Sequence, residues 1–394
     1  MPRESRRLPF FIGVAFVYGA TSLWTTLLLW QILAITHSGV WVVIAAAATT
    51  LPAIMVGLTG PEWGIRIRMG GWLWGIGLLL AALSPWLIHS VWALLLVALL
   101  EGWVNARVIP MAQAWLMSAT TPANAPVAST NFEMASRIGM VAGPLVAGGL
   151  LTALGALTAT VAAGVLFLVG GWAWRHVSWL HPPHTPSRRT AAWRAVKQDG
   201  FLVTALAIRG GANLLWPAFT VAIPLLIRHP WHAHALGYGG VRTLWGVSTV
   251  LGTWLVIPRL LSRLKISYFL SWTLTGASFW EIGHAGHFTT ALIWVMVGAL
   301  TSPIVHVALD SHIGTALDHA LQGGVFAIQR LVMAVVNLLG LFLITGALHR
   351  FRPGGMLAAA GLTMSAMSLL GLLVWIMVQR HHKAHTVLMD VSKR

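Results

Sequence analysis

Cysteine is absent from this 394-residue chain. That excludes disulfides, thiolate metal sites and cysteine catalysis. Carboxylates are almost as scarce: nine Asp and Glu together, fewer than the 22 Trp or the 17 His. All charged residues amount to 9% of the chain, whereas a soluble domain carries roughly 25% to keep its surface wetted. Water is therefore not the main solvent of this protein. What fills the chain instead is apolar, at 57% of residues. An acid inside an apolar run is costly to hold there, so each such acid is a functional suspect.

A helix needs about 20 apolar residues to cross the hydrocarbon core of a bilayer. Apolar runs and their punctuation predict twelve such helices, near 9–35, 40–60, 70–88, 91–117, 127–152, 155–175, 200–227, 237–261, 267–284, 289–314, 325–348 and 355–380. The one long polar interruption, His176 to Gly200, contains HPPHTPSRRT and is read as a connector that neither spans nor packs a core. The expected organisation is a six-helix lobe over 1–175, a cytoplasmic linker over 176–200, a second six-helix lobe over 201–380 and a cytoplasmic tail over 381–394. The basic start (Arg3, Arg6, Arg7) is followed by an apolar stretch too long for a cleavable signal core.

The formal charge of +16 comes in small clusters between apolar runs and forms no continuous basic face, so nucleic acid is not an expected partner. Those clusters set the orientation instead. With the N-terminus inside, seventeen of the 25 Lys and Arg fall on the cytoplasmic side and only Arg228, Arg350 and Arg352 outside. Both termini are then cytoplasmic, in a multi-pass protein of the cell's inner (plasma) membrane. The halves also echo each other at one offset: Pro61, Arg66 and Arg68 recur as Pro258, Arg263 and Lys265, each 197 residues on. Gly143 and Gly149 recur in the same way as Gly340 and Gly346. This predicts a duplicated six-helix unit of the kind found in rocking transporters.

The fifth span reads Arg137-Ile-Gly139-Met-Val-Ala-Gly143-Pro144-Leu-Val-Ala147-Gly148-Gly149. Gly139, Gly143 and Ala147 recur every four residues and give one helix face almost no bulk, so a neighbouring backbone can approach closely. Pro144 removes a backbone donor and is expected to kink the helix. The run resembles the antiporter motif in the fifth helix of the major facilitator superfamily. Gly102, Ala106, Pro110 and Gln113-Ala114 in the fourth span resemble that superfamily's exporter branch, which includes enterobactin exporters and macrolide efflux proteins. So do Leu236-Gly237-Tyr238-Gly239 and Gly323-Gly324-Val325-Phe326-Ala327. The resemblance implies an all-α integral membrane fold, with twelve transmembrane helices in two pseudo-symmetric lobes around a central cavity. It also implies a cytoplasmic gate between the second and third spans. Here Glu62, Gly64 and Arg66 keep the acid-and-base outline of that gate, with irregular spacing and Trp63 where a base is usual.

In that family the first, fourth, seventh and tenth helices line the cavity, which selects the intramembrane polar residues that matter. The fourth span carries Glu101 near its middle and then Arg107; the seventh carries Arg209 and Asn213; the tenth carries His306 and Asp310. Glu101 is the first candidate for proton coupling, because desolvation disfavours the charged form of a carboxyl and makes uptake and release of a proton useful. A permanent Glu101–Arg pair that fixes helix packing is the competing reading. Asp310 and His306 are further coupling candidates; a solvated helix end and a hydrogen-bonded structural histidine are their alternatives. Arg107, Arg209, Asn213, Trp24 and Trp216 are candidate substrate contacts. Glu133 and Arg137, at i,i+4, read most simply as an intrahelical salt bridge. Many histidines fall near outer ends, among them His37, His89, His232, His284 and His287. Their scattered spacing argues against a metal site and is compatible with an outer face that meets acid.

These residues predict a secondary active transporter that exchanges inward-moving protons for an amphipathic or hydrophobic small molecule. A uniporter, importer or lipid-flipping protein of the same fold remains open, as does a receptor-like or assembly protein that does not transport. No nucleophile, metal-ligand cluster or phosphate-cradling loop stands out, so neither enzymatic activity nor a cofactor is expected. The expected partners are a small-molecule substrate, protons and the bilayer, and the expected state is a monomer.

Overall fold

A computed structural model describes residues 7–37, 39–59, 69–175, 188–228, 231–232, 235–347 and 350–391. The helices are α1 (Arg7–Thr36), α2 (Gly39–Thr59), α3 (Met69–Leu87), α4 (Val91–Ser118), α5 (Ala125–Ala153), α6 (Gly155–Ala173) and α7 (Arg188–Gln198). They continue as α8 (Gly200–Arg228), α9 (Ala235–Leu251), α10 (Ile257–Leu260), α11 (Leu264–His284), α12 (Phe288–Ala316), α13 (His319–Ala347) and α14 (Pro353–Val391). No strand occurs among the described residues.

Among the described residues, ten stretches are long and apolar enough to cross a membrane. One of them, Gly240–His284, contains both α9–α10 and α11, and α2 adds a shorter apolar run at Ile44–Val56. The twelve spans expected from the sequence are thus present. An all-helical protein satisfies its backbone hydrogen bonds within each segment, as the bilayer core requires. The outer faces are apolar in turn, with Phe342, Leu343 and Leu370 all about 60% exposed. Trp86 and Trp92, more than 70% exposed, flank the α3–α4 turn, where indole suits a membrane–water boundary.

Three local features depart from the sequence expectation. Part of the polar connector forms α7, in which Ala192 and Val196 at i,i+4 are both buried. Asp199 then accepts from the backbone N–H groups of Phe201 and Leu202, at 2.9 Å each, and so caps the start of α8. Second, α13 begins at His319, before its apolar run, because buried Gln322 donates to the Leu317 carbonyl at the end of α12 (3.1 Å). Third, Gly252–Val256 forms a π turn between α9 and α10, an irregularity that often sits at functional positions.

The chain divides into two compact units, Met1–Ala192 with Asp310–Leu338, and Trp193–Leu309 with Leu339–Arg394. Within each, glycine lets helix backbones touch. A Cβ on Gly77 of α3 would lie 2.7 Å from the Gly164 carbonyl oxygen of α6, and one on Gly164 would lie 2.8 Å from the Gly77 oxygen. In the second unit Gly276 of α11 and Gly361 of α14 oppose one another in the same way. Gly164 and Gly361 are again 197 residues apart, so the repeat seen in the sequence is also a repeat of close helix contacts.

Candidate functional site

The fifth-helix motif works through one face only. A Cβ on Gly139 would press on the Ala15 carbonyl and lie 2.7 Å from the Gly19 nitrogen of α1; one on Gly143 would lie 2.6 Å from the Gly19 oxygen. Ala147 completes the seam and is fully buried. Ser22 also donates from α1 to the Met140 carbonyl (3.1 Å). Pro144, Gly148 and Gly149 lie outside this seam and are exposed, and nothing approaches a Cβ at either glycine within 4 Å. α5 runs unbroken through Pro144. In the second unit Gly340 of α13 sits against the Leu214 carbonyl of α8, the repeat counterpart of Gly143 on α1.

The α1–α5 seam fixes the helix against which α4 presents its polar face. Glu101 and Asn105, one turn apart, both turn toward α1. The Asn105 Nδ2 donates to Glu101 Oε1 and lies 3.1 Å from Thr21 Oγ1; the Thr21 hydroxyl is also within hydrogen-bonding reach of the carboxylate. Glu101 is 2% exposed. No Lys, Arg or His among the described residues forms an ion pair with it. Its surroundings are neutral, an amide and a hydroxyl.

Within its own unit, Glu101 does not meet Arg107. Arg107, six residues on, faces another side of α4 and lies over the Trp103 ring at 4.2 Å. Trp103 in turn meets Trp72 of α3 edge to face. Arg107 is 4% exposed, and its Nε and Nη1 find no hydrogen-bond partner among the described residues. In the second unit, Arg209 of α8 is buried, and its Nη2 donates to His306 Nδ1 of α12 at 2.8 Å. Asn213 donates to the Arg209 carbonyl of its own helix. Trp216 packs in an aromatic cluster with Phe219, Trp245 and Phe279. Trp24 is fully buried.

Asp310 accepts from Gln113 Nε2 of α4 at 2.9 Å within the first unit. Glu133 and Arg137 form the intrahelical ion pair that their spacing predicts, at 2.6 Å. Glu62, Gly64 and Arg66 lie outside the described residues. Sequence reasoning did not single out Asn105 or Thr21 as partners of Glu101. The i,i+4 spacing of Glu101 and Asn105 was the available signal for the first; nothing in the sequence marks Thr21, 80 residues away.

No family model matches this chain, and no curated protein matches it. Solved structures do. The human organic anion transporter MFSD10 (TETRAN) is 15% identical, with a TM-score of 0.73 over 95% of this chain and 100% of that one. A bacterial homologue of the iron transporter ferroportin, in an outward-facing state, is 13% identical with a TM-score of 0.73, covering 94% of this chain and 98% of that one. The same homologue with soaked iron gives 0.72. This is the major facilitator fold. At these identities the likeness speaks to the fold, so chemistry on the major facilitator frame has to be argued from this chain's own residues.

Proposed function

We propose that this chain is a secondary active transporter of the major facilitator type that exchanges inward-moving protons for an amphipathic or hydrophobic small molecule by alternating access. The observation that carries the coupling is Glu101, an acid buried within a membrane-spanning helix and held, among the described residues, by neutral groups. An amide partner tolerates both protonation states: its N–H₂ donates to a carboxylate, and after rotation its oxygen accepts from a carboxylic acid. A guanidinium partner would hold the acid permanently ionised. Glu101 beside Asn105 is therefore suited to take up and release a proton as its access changes.

Export as the direction rests on the resemblance of the α5 face and the α4 motif to exporters. Arg209 and Asn213 are the proposed substrate contacts, joined by Trp216. Arg107 and Trp24, like Arg209 buried as they stand, would meet substrate only after rearrangement. Asp310 and His306 are proposed as secondary proton sites, and Glu62, Gly64 and Arg66 as the cytoplasmic gate. The distribution of Lys and Arg supports an inner-membrane protein with both termini cytoplasmic; a monomer is the proposed working state.

The test is transport in sealed vesicles driven by an imposed pH gradient. Glu101→Gln is expected to abolish gradient-driven movement while the protein keeps its unfolding temperature. Unchanged gradient-driven transport in that variant would remove the coupling assignment and favour a uniporter. Because the chain has no cysteine, single cysteines placed in α1 or α8 test transport itself. Substrate should protect them from thiol reagents, and a non-transporting scaffold would show no protection.

A further inference from the structure

Arg107 is the only basic residue of α4 and is 4% exposed. Its guanidinium lies over the Trp103 ring at 4.2 Å, and Trp103 meets Trp72 of α3 with ring centroids 4.4 Å apart. The indole offers a cation a modest attraction but no acceptor oxygen. Nε and Nη1 of Arg107 are buried and have no hydrogen-bond partner among the described residues. The buried acids of the same unit are engaged elsewhere. Glu133 is ion-paired with Arg137, Glu101 accepts from Asn105, and Asp310 accepts from Gln113. Other arginines within spans reach a polar partner: Arg137 reaches Glu133, Arg209 reaches His306 and Arg330 reaches Tyr18. Arg107 stands apart from them as a buried cation that an aromatic ring supports and nothing neutralises.

An ion taken out of water without a counter-charge is costly to hold. A neutral solute at Arg107 would leave that cost in place, and a cationic one would add a like charge. An anion removes it, and a guanidinium matches the oxygens of a carboxylate or sulfonate with planar N–H donors. The neighbouring rings set the rest of the solute. Trp103 and Trp72, edge to face beside the guanidinium, supply indole surface against which a flat apolar body can lie. Glu101 is six residues away, about 9 Å along the helix axis, and turns to Thr21 and Asn105 instead. The acid and the cation of α4 therefore serve different faces of the helix.

We propose that Arg107 is an anion-binding group and that the solute is a flat organic anion, a carboxylate or sulfonate, whose acidic group it takes. That the anion is carried rests on the transport reading above; its binding is tested without a pH gradient. The probe is radiolabelled 2-naphthoate, with uncharged 2-naphthamide as its isostere, in equilibrium binding to the full chain in an uncharged detergent. The parent should bind the acid saturably and about tenfold more tightly than the amide. Arg107→Gln should weaken the acid about 10- to 100-fold, the range for hydrogen bonds to charged groups, and leave the amide unchanged. Arg107→Lys keeps the charge without the planar donors, so its affinity should fall between the two; it serves where Arg107→Gln does not fold. Trp103→Leu should weaken acid and amide alike, roughly a few-fold. Without any probe, Arg107→Gln should unfold at a higher temperature than the parent, because an unpaired buried charge is gone. A lower unfolding temperature would mark a structural cation and overturn the proposal. So would absence of saturable 2-naphthoate binding, equal binding of acid and amide, or parent-like affinity in Arg107→Gln. Each of these leaves proton-driven transport of an uncharged solute standing. Conversely, unchanged gradient-driven transport in Glu101→Gln removes the coupling and leaves the binding result at Arg107 intact.

Discussion

Glu101 and Glu133 sit on successive helices of the same unit, both buried, and are held in opposite ways. Glu133 has Arg137 one turn along its own helix, with Nη2 at 2.6 Å and Nε at 2.7 Å from one carboxylate oxygen. Glu101 has an asparagine and a threonine and, among the described residues, no cation. A buried carboxylate whose counter-charge is covalently tethered on the same helix is a fixed structural charge in any conformation that keeps α5 intact. A buried carboxyl with neutral partners carries no such guarantee, and its charge depends on what reaches it. Burial alone therefore does not mark a functional acid in a membrane protein; the partner does.

That contrast can be broken experimentally. The largest effect is expected for transport under a pH gradient: Glu101→Gln should fall to the background leak, whereas Glu133→Gln should keep most of the parent rate. Equal loss in both would erase the distinction. Next in size is stability. Arg137→Leu leaves Glu133 buried without its counter-charge and should cost about 3 kcal/mol, read from unfolding in detergent. Removing both members, Glu133→Leu with Arg137→Leu, should recover much of that loss, and failure to recover would show that the pair does more than neutralise itself. The smallest effect is expected for Asn105→Ala, which deletes one donor to Glu101 and should cost about 1–2 kcal/mol. It should also slow gradient-driven transport without abolishing it. An Asn105→Ala variant indistinguishable from the parent in both measurements would mean that the amide does not tune Glu101.

The fold was legible to the extent that its causes are local. Apolar runs of about the thickness of a bilayer located the spans, because each helix must satisfy its own backbone in lipid. The four-residue spacing of Gly139, Gly143 and Ala147 correctly located a close-packing face, since side chains four apart share a side of a helix. The same motif could not say that Gly148 and Gly149 would face outward, nor that the neighbour would be α1. α7 escaped notice because two small apolar residues in a basic, proline-flanked segment make no periodic signal. Gln322 was invisible for a similar reason: it satisfies carbonyls at the end of the preceding helix, a task with no hydropathy trace.

The candidate site divides along the same line. Composition made Glu101 conspicuous, and its position within a span made it costly. What surrounds it had to come from the structure. Arg107, only six residues away, was a plausible counter-charge on paper and turns to Trp103 instead, because six residues along a helix lead to another face.

By itself the sequence determined the solvent of this protein, the number of its crossings and the duplication at 197 residues. These follow from composition and period, which add up along the chain without reference to what lies across it. Only the tertiary structure decided which buried acid is paired and which is held by neutral groups, and which repeat-equivalent residues touch. The cost of a buried polar group depends on the atom that faces it. For Glu101 one such atom comes from Thr21, and for Asp310 one comes from Gln113, on helices that the sequence places far away.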